Sequence, residues 1–432
     1  MPLTRQDRER ILTKVVRLVD ERFFEPHFDL SGWHGEVLGR RDSLLALNDP
    51  EEFEREIHAV VSKLGVSHVG FYHRSARRVP ARLAIGATLQ KCAMDSDAVW
   101  VFQDVHEGGP AHAAGVERGD VLIGVGDRPS KPPDGPTFAM GTTTAMVVQK
   151  LDGRRVRTVL DIPVPRSRQL PYCTPRVVSH SVLRNSTGYL KVSVFPGVVG
   201  IDVARDIDAA VSALKECPSL VIDLRGNPGG GIGGLRLMSY LTPGKMPVGY
   251  SLTRGRAAAG YHKEKLRRFD RIPSSKWALL PLALQFALGD RSTVLVTEGL
   301  GAHVFHGSIA ILVNEHTASA SEMVAAFAAE NGLARIVGTT TAGRLLSGDT
   351  FRLPLGYVLS LPVGAYYTWQ GRLLEGAGIA PDVKVELSYA SLQSGSDSQL
   401  DAATATVLQS RGTGYTSITS PRGVPENRPL ES

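Results

Sequence analysis

Two segments of the chain have residue types and spacings suited to acyl transfer. The first is T-A-S-A-S-E at 317–322. It follows the apolar run I-A-I-L-V at 309–313 and precedes the Ala-rich stretch M-V-A-A-F-A-A-E. A strand leading into a helix puts Ser319 at or near the helix N-terminus. Free backbone N–H groups and the positive end of the helix dipole there favour a developing alkoxide or oxyanion. The same letters have a purely structural meaning, because Ser followed three residues later by Glu is a capping box. The second segment is D-L-R-G-N-P-G-G-G at 223–231, which overlaps the end of the apolar strand L-V-I-D-L at 220–224. Its glycines let backbone approach a reacting group and aim N–H donors at it. A phosphate loop is the alternative reading, but no G-K-[ST] follows.

The elements that must position these segments follow from composition and periodicity. The chain has 432 residues, 42% hydrophobic and 21% charged, which predicts a soluble globular protein of two to four domains. Its net charge of +6 includes no block of consecutive Lys and Arg, so a nucleic-acid partner is not expected. Cys92, Cys173 and Cys217 are too few and too dispersed for a disulfide framework, and each reads as a small buried apolar residue. No stretch approaches 18 apolar residues, and residues 1–23 lack a signal-peptide core. The expectation is therefore a cytoplasmic chain with no membrane span.

Residues 1–82 read as a helical region. One helix is expected over about 5–23, and a second over about 51–64, stopped by Gly65. Residues 83–165 turn β-rich, with strands at 98–102, 121–125 and 155–160, a short helix opened by Pro110-Ala111, and a late helix around 142–151. The run P-A-H-A-A-G-V-E-R-G-D-V-L at 110–122 resembles a PDZ domain. That resemblance implies capture of an extended peptide by strand addition, with a carboxylate loop near Ile85, Gly86 and Ala87, although these depart from the usual G-L-G-F form. A PDZ that only braces its neighbour is the other reading. Residues 166–390 alternate strands (189–195, 220–224, 309–313) with helices (202–217, and from Ser319), which predicts an α/β domain. The basic, then apolar, insert at 254–290 reads as a helical lid or packing arm. Residues 391–432 read as a flexible tail.

Taken in order, G-Y-L-K-V-S-V-F, D-L-R-G-N-P-G-G, N-E-H-T-A-S-A-S-E and I-V-G-T-T-T-A-G-R resemble the C-terminal processing (tail-specific) peptidases and the tricorn protease core. The likeness spans about 5–390. It implies a crotonase-like α/β core of ββα repeats and a peptide or unfolded-protein substrate. It implies no cofactor and no metal, and it leaves homo-oligomerisation open. It also implies Ser319 as nucleophile, with an oxyanion hole from Gly229 or Gly230 and Ala320.

In the processing-peptidase branch a Lys lies 25 residues after the Ser, and here that position is Arg344. An Arg stays protonated and cannot accept the serine proton. It could instead contact substrate. The tricorn-core branch implies another base. L-G-V-S-H-V-G-F at 64–71 resembles its Ser-His pair, giving Ser67 and His68, and G-R-L-L-E-G-A-G-I-A-P-D supplies Glu375. A neutral His takes the hydroxyl proton and returns it to the leaving amine, while a hydroxyl and a carboxylate orient it. His316, three residues before Ser319, is a rival base, and Lys191 or Lys245 would be needed for a different Ser/Lys pair. The alternative function is a catalytically inactive fold that binds peptide C-termini.

Overall fold

A computed structural model describes residues 3–412, apart from 75–77, 95–96, 134, 165–174, 198, 274 and 276–289. It is a mixed α/β fold built around three six-stranded sheets. The central sheet has Val178–Val182 at one edge, antiparallel to Gly188–Val192. Four parallel neighbours follow: Ser219–Asp223, Ser308–Val313, Arg335–Gly338 and Val383–Lys384. The apolar runs of its middle strands are continuous because both faces are covered. Leu220, Ile222, Ile309, Ile311 and Val313 join the main core with the helices Ile201–Leu214 and Ala320–Glu330. Val221, Ala310, Leu312 and Val337 point the other way.

That other face corrects the expectation for 391–432. Residues Tyr389–Gln393 and Ser398–Gly412 are helical. Leu400, Ala403 and Val407 fall at helical spacing and lie on Val221, Ala310, Leu312 and Val337. A stripe of one Leu, one Ala and one Val is weak in the sequence but enough to cover the sheet. The same segment holds the strand end that leads to the glycine turn. Arg225, only 2% exposed, bonds Asp223 at 3.0 and 2.7 Å, Asp397 at 3.0 Å and Gln399 at 3.1 Å. Residues 413–432 lie outside the described part.

The second sheet runs Gly70–His73, Tyr357–Thr368, Pro247–Thr253, Thr293–Val296 and Arg267–Phe269, with Leu346–Arg352 also paired to Tyr357–Thr368. The N-terminal helices Arg5–Arg22, Ser31–Ala46 and Pro50–Ser62 share one hydrophobic core with it, in which Phe53, Phe71 and Tyr357 make mutual ring contacts. The N-terminal region is therefore packed onto this sheet. Its middle helix is an addition to the two expected. Gly32, Gly35 and Gly39 dilute its periodicity, and buried Trp33, Val37, Leu44 and Leu45 hold it. Among the described residues of the insert, Arg254–Ala259 is helical, Lys263–Lys265 forms a 3-10 turn and Arg267–Phe269 is a strand, and the apolar run from Trp277 falls on undescribed residues.

The third sheet runs Ala87–Met94, Asp97–Val105, Val121–Val125, Thr143–Gln149 and Arg155–Asp161, with Arg128–Pro129 beside the middle strand. The helix expected at 142–151 is instead the strand Thr143–Gln149. Its β-branched Thr143, Thr144, Val147 and Val148 favour extended chain, and burial alternates with period two, Met146 and Val148 facing in. Among the described residues no helix is long and apolar enough to cross a membrane.

Candidate active site

The nucleophile candidate sits where one strand becomes one helix. Ser308–Val313 ends at Asn314, and Ser319 is the N-cap of Ala320–Glu330. Ser319 holds φ 56° and ψ −124°, a conformation glycine favours. Such strain costs about 1–3 kcal/mol and persists only when the surroundings impose it. They do so here. Ala318 N–H donates to Asn227 O at 2.9 Å, Ala342 N–H to Thr317 O at 2.9 Å, and Ser319 N–H to Glu322 Oε2 at 3.0 Å.

Glu322 was legible only as the far end of a capping box, yet it organises one whole side of the site. Fully buried, it accepts hydrogen bonds from Ser319 N–H, Thr341 Oγ1 (2.6 Å), Gly343 N–H (2.7 Å) and Arg344 N–H (2.9 Å). The next amide along, Leu345 N–H, donates to Glu375 Oε2 at 3.0 Å. One loop thus ties the serine side to the Glu375 side.

The glycine turn lies directly against the serine. A Cβ on Gly229 would come within 2.5 Å of Ser319 Cβ and 2.7 Å of Ala320 N, and Gly229 has φ +87°. Of the two glycines named as oxyanion donors, Gly229 has its N–H committed to Asn227 Oδ1 at 2.8 Å. Gly230 and Ala320 line the cavity next to Ser319, and neither N–H has a hydrogen-bond partner among the described residues. Asn314 anchors the turn, accepting from Gly226 N–H at 3.0 Å and donating to Asp104 Oδ2 of the third sheet at 2.9 Å.

The base candidate arrives from the other end of the chain. Ser67-His68 follows the helix Pro50–Ser62 and precedes the strand Gly70–His73, whose pairing with Tyr357–Thr368 fixes its place. Ser67 N–H donates to Glu375 Oε1 at 2.6 Å, Ser67 Oγ lies 2.9 Å from Glu375 Oε2, and the same Oγ lies 2.7 Å from His68 Nδ1. A hydroxyl has one proton, and a carboxylate can only accept it. With that proton directed at Glu375, Nδ1–H must donate to Ser67 Oγ, which leaves Nε2 with its lone pair. His68 and Ser319 line the same cavity of about 410 Å³. His68 is open at the cavity rim, but the protein around its ring disfavours charge. Desolvation holds its pKa below the ordinary histidine value, Glu375 opposes that shift, and the Arg344 guanidinium adds to it.

The other named residues are placed as follows. The Arg344 side chain is exposed, does not line the cavity, and acts on His68 through charge. His316 Nε2 lies 3.1 Å from Leu89 O, turned toward the third sheet. Lys191 pairs with Asp223 and Lys245 with Asp270, and neither lines the cavity. Ile85, Gly86 and Ala87 are buried, and Ile85 N–H is already given to Ala81 O at 2.8 Å, so this amide is not free for a peptide carboxylate. Among the described residues no group of three or more His, Cys, Asp or Glu could hold a metal.

Known proteins resemble this arrangement. Residues 186–385 match Peptidase family S41. A chloroplastic carboxyl-terminal-processing peptidase 3 of Arabidopsis thaliana is 22% identical over 87% of this chain and 68% of its own length. A putative tricorn protease homolog 2 of Streptomyces coelicolor is 26% identical over 85% of this chain, which spans 29% of that protein. Among solved structures, the photosystem II D1 C-terminal processing protease aligns with TM-score 0.52 and 18% identity, covering 89% of this chain and 94% of its own. Mature CPAF aligns with TM-score 0.59 and 15% identity, covering 96% and 99%. The Ser319, glycine-turn and Glu375 motifs fall inside the matched span and Ser67-His68 lies outside it, and residues 186–385 are a Peptidase family S41 domain, a serine-type peptidase domain.

Proposed function

We propose that this protein hydrolyses peptide bonds by acyl transfer, with Ser319 as nucleophile and His68 as general base. The observation that carries the reading is the chain Glu375–Ser67–His68, which leaves Nε2 unprotonated in the cavity that Ser319 also lines. Ser319 Oγ attacks the scissile carbonyl as Nε2 takes its proton. The oxyanion develops against Gly230 and Ala320 N–H. Nε2 then protonates the leaving amine, and water repeats the sequence on the acyl-enzyme. The imidazolium that forms keeps its Nδ1–H satisfied, because Nδ1–H donates to Ser67 Oγ, whose own proton is directed to the Glu375 carboxylate.

The third sheet carries the stretch that resembles a PDZ domain, and it selects or gates peptide in this reading. Support comes from the Asp104–Asn314–Gly226 hydrogen bonds, which connect it to the turn holding the oxyanion donors. The inactive, peptide-binding reading is favoured by one observation, Arg344 at the position where the processing branch has its Lys. A fluorophosphonate probe separates them. Wild type labels and Ser319→Ala does not if the serine is activated, whereas equal labelling, or none in wild type, favours the binding protein.

A further inference from the structure

The cavity beside Ser319 has a wall that the chemistry above does not use. Arg291, Thr293 and Leu295 all line it, as alternate residues along one extended segment must if one of them does. Across the antiparallel pairing Thr293 faces Ser251, and on the other side Leu295 faces Phe269, and both partners line the cavity too. The wall therefore grades from apolar Leu295 and Phe269, through two hydroxyls, to a guanidinium at the exposed end. Apart from Arg291, the only titratable side chains in the lining are His68 and Tyr366, and no carboxylate is among the described lining residues. Arg291 makes no ion pair among the described residues. Its neighbour Asp290 is occupied, bonding Arg256 Nε at 2.7 Å and Thr253 Oγ1 at 2.8 Å.

The charge of the surrounding chain has the same sign. Residues 254–291 contain nine Lys and Arg against three Asp and Glu, a surplus of six that equals the net charge of the whole protein, +6. Among the described lining residues Arg291 is the one fixed positive charge, and it favours anionic groups at this wall.

We infer that this wall is a specificity subsite for a carboxylate-bearing residue of the substrate, held by the Arg291 guanidinium with Ser251 and Thr293 hydroxyls beneath it. A guanidinium fork matches a carboxylate in two-point geometry, and the apolar floor accepts the methylenes that carry it. Two substrate features present this chemistry: an Asp or Glu side chain, and the C-terminal carboxylate of a peptide. The inference rests on the proposed peptidase function for the word substrate, but the subsite can be tested as binding.

The test uses full-length Ser319→Ala protein, which removes turnover, and four fluorescein-labelled peptides of one neutral sequence: C-terminally amidated, free acid, amidated with one Glu, and amidated with one Lys. Anisotropy titrations are expected to give the Glu peptide, the free acid, or both at least tenfold tighter binding than the neutral amide, with the Lys peptide weakest. Which of the two gains identifies the source of the carboxylate. Adding Arg291→Gln is expected to erase the gain, Arg291→Lys to retain part of it, and Arg291→Glu to bring the Lys peptide to the top. Binding of both the Glu peptide and the free acid no tighter than that of the neutral amide, an unchanged gain in Arg291→Gln, or no binding by any of the four overturns the subsite. Fluorophosphonate labelling of Arg291→Gln with Ser319 intact keeps the two proposals apart. Labelling without carboxylate preference removes the subsite and leaves the peptidase, whereas preference without labelling of wild type does the reverse.

Discussion

Glu322 collects four hydrogen bonds, three from backbone amides and one from Thr341, and none of those donors titrates. Glu375 collects bonds from Ser67 N–H, Ser67 Oγ and Leu345 N–H, and one of these leads on to His68. The two carboxylates hold opposite sides of one loop, but their surroundings give them different work. Saturated by backbone, Glu322 fixes geometry: the strained Ser319 and the amides of 343 and 344. Bonded through a hydroxyl to an imidazole, Glu375 stands, in the proposed mechanism, where it can bias protonation as well as position. A buried carboxylate beside a nucleophile is thus not by itself part of the proton path. What it bonds decides that.

The comparison breaks most severely if the proton path is cut. His68→Ala removes the proposed base and touches no Glu322 bond. The expected result is a fall in kcat of about 10²–10⁴-fold with a melting temperature close to wild type, measured by peptide hydrolysis and by calorimetry. A fall in melting temperature as large as the Glu322 variant's would mean that His68 is a packing residue.

Next in size is the contrast between the two carboxylates. Glu322→Gln sets an amide NH2 against buried N–H donors. Leaving such donors unpaired costs about 1–3 kcal/mol each, so thermal stability is expected to drop by several degrees. Glu375→Gln is expected to lose less stability and to change the pH profile instead. The sign follows from the charges around His68. A base is active when neutral, and desolvation has lowered the His68 pKa, so kcat/KM is expected to be flat through neutral pH and to fall only below the ordinary histidine range. Glu375 raises that pKa and Arg344 lowers it. Glu375→Gln is therefore expected to move the acid limb to lower pH, and Arg344→Gln to higher pH. Limbs that move together, or not at all, would detach His68 from the rate.

How much of this was legible in the sequence follows from the same division. The Ser319 side is written in contiguous runs, a strand, a turn and a helix, so its order in the chain is nearly its order in space. The Ser67-His68 and Glu375 side joins positions 308 residues apart, and periodicity says nothing about that meeting; only the resemblance to a family brought them together. Choosing Gly230 over Gly229 needed the Asn227 bond, which no letter in N-P-G-G announces. The strand Thr143–Gln149 is not legible in the sequence because its four apolar residues, Ala145 to Val148, are consecutive, and its period-two burial depends on sheet partners. The helix Ser398–Gly412 was missed because Leu400, Ala403 and Val407 form a thin stripe whose meaning comes from the sheet face beneath it.

The smallest expected effect tests how closely the base side is held. Gly348 lies on the strand Leu346–Arg352, and a Cβ built there would stand 3.0 Å from His68 Cδ2, 3.1 Å from its Cβ and 3.3 Å from its Cγ. These contacts are tighter than ordinary packing, so an added methyl must move the imidazole by a few tenths of an ångström. The three atoms nearest this methyl all belong to His68, and the residue at 348 is exposed. Gly348→Ala is therefore expected to lower kcat by about tenfold, since misplacing a catalytic group by 1 Å costs on the order of 10²-fold, with KM and melting temperature near wild type. The pH profile gives the second readout. A ring pushed from Ser67 Oγ loses part of its link to Glu375, which shifts the acid limb in the same direction as Glu375→Gln but by less. An unchanged kcat together with an unchanged limb would show that the ring has room to give, and that Ser67 and Glu375 alone set its position.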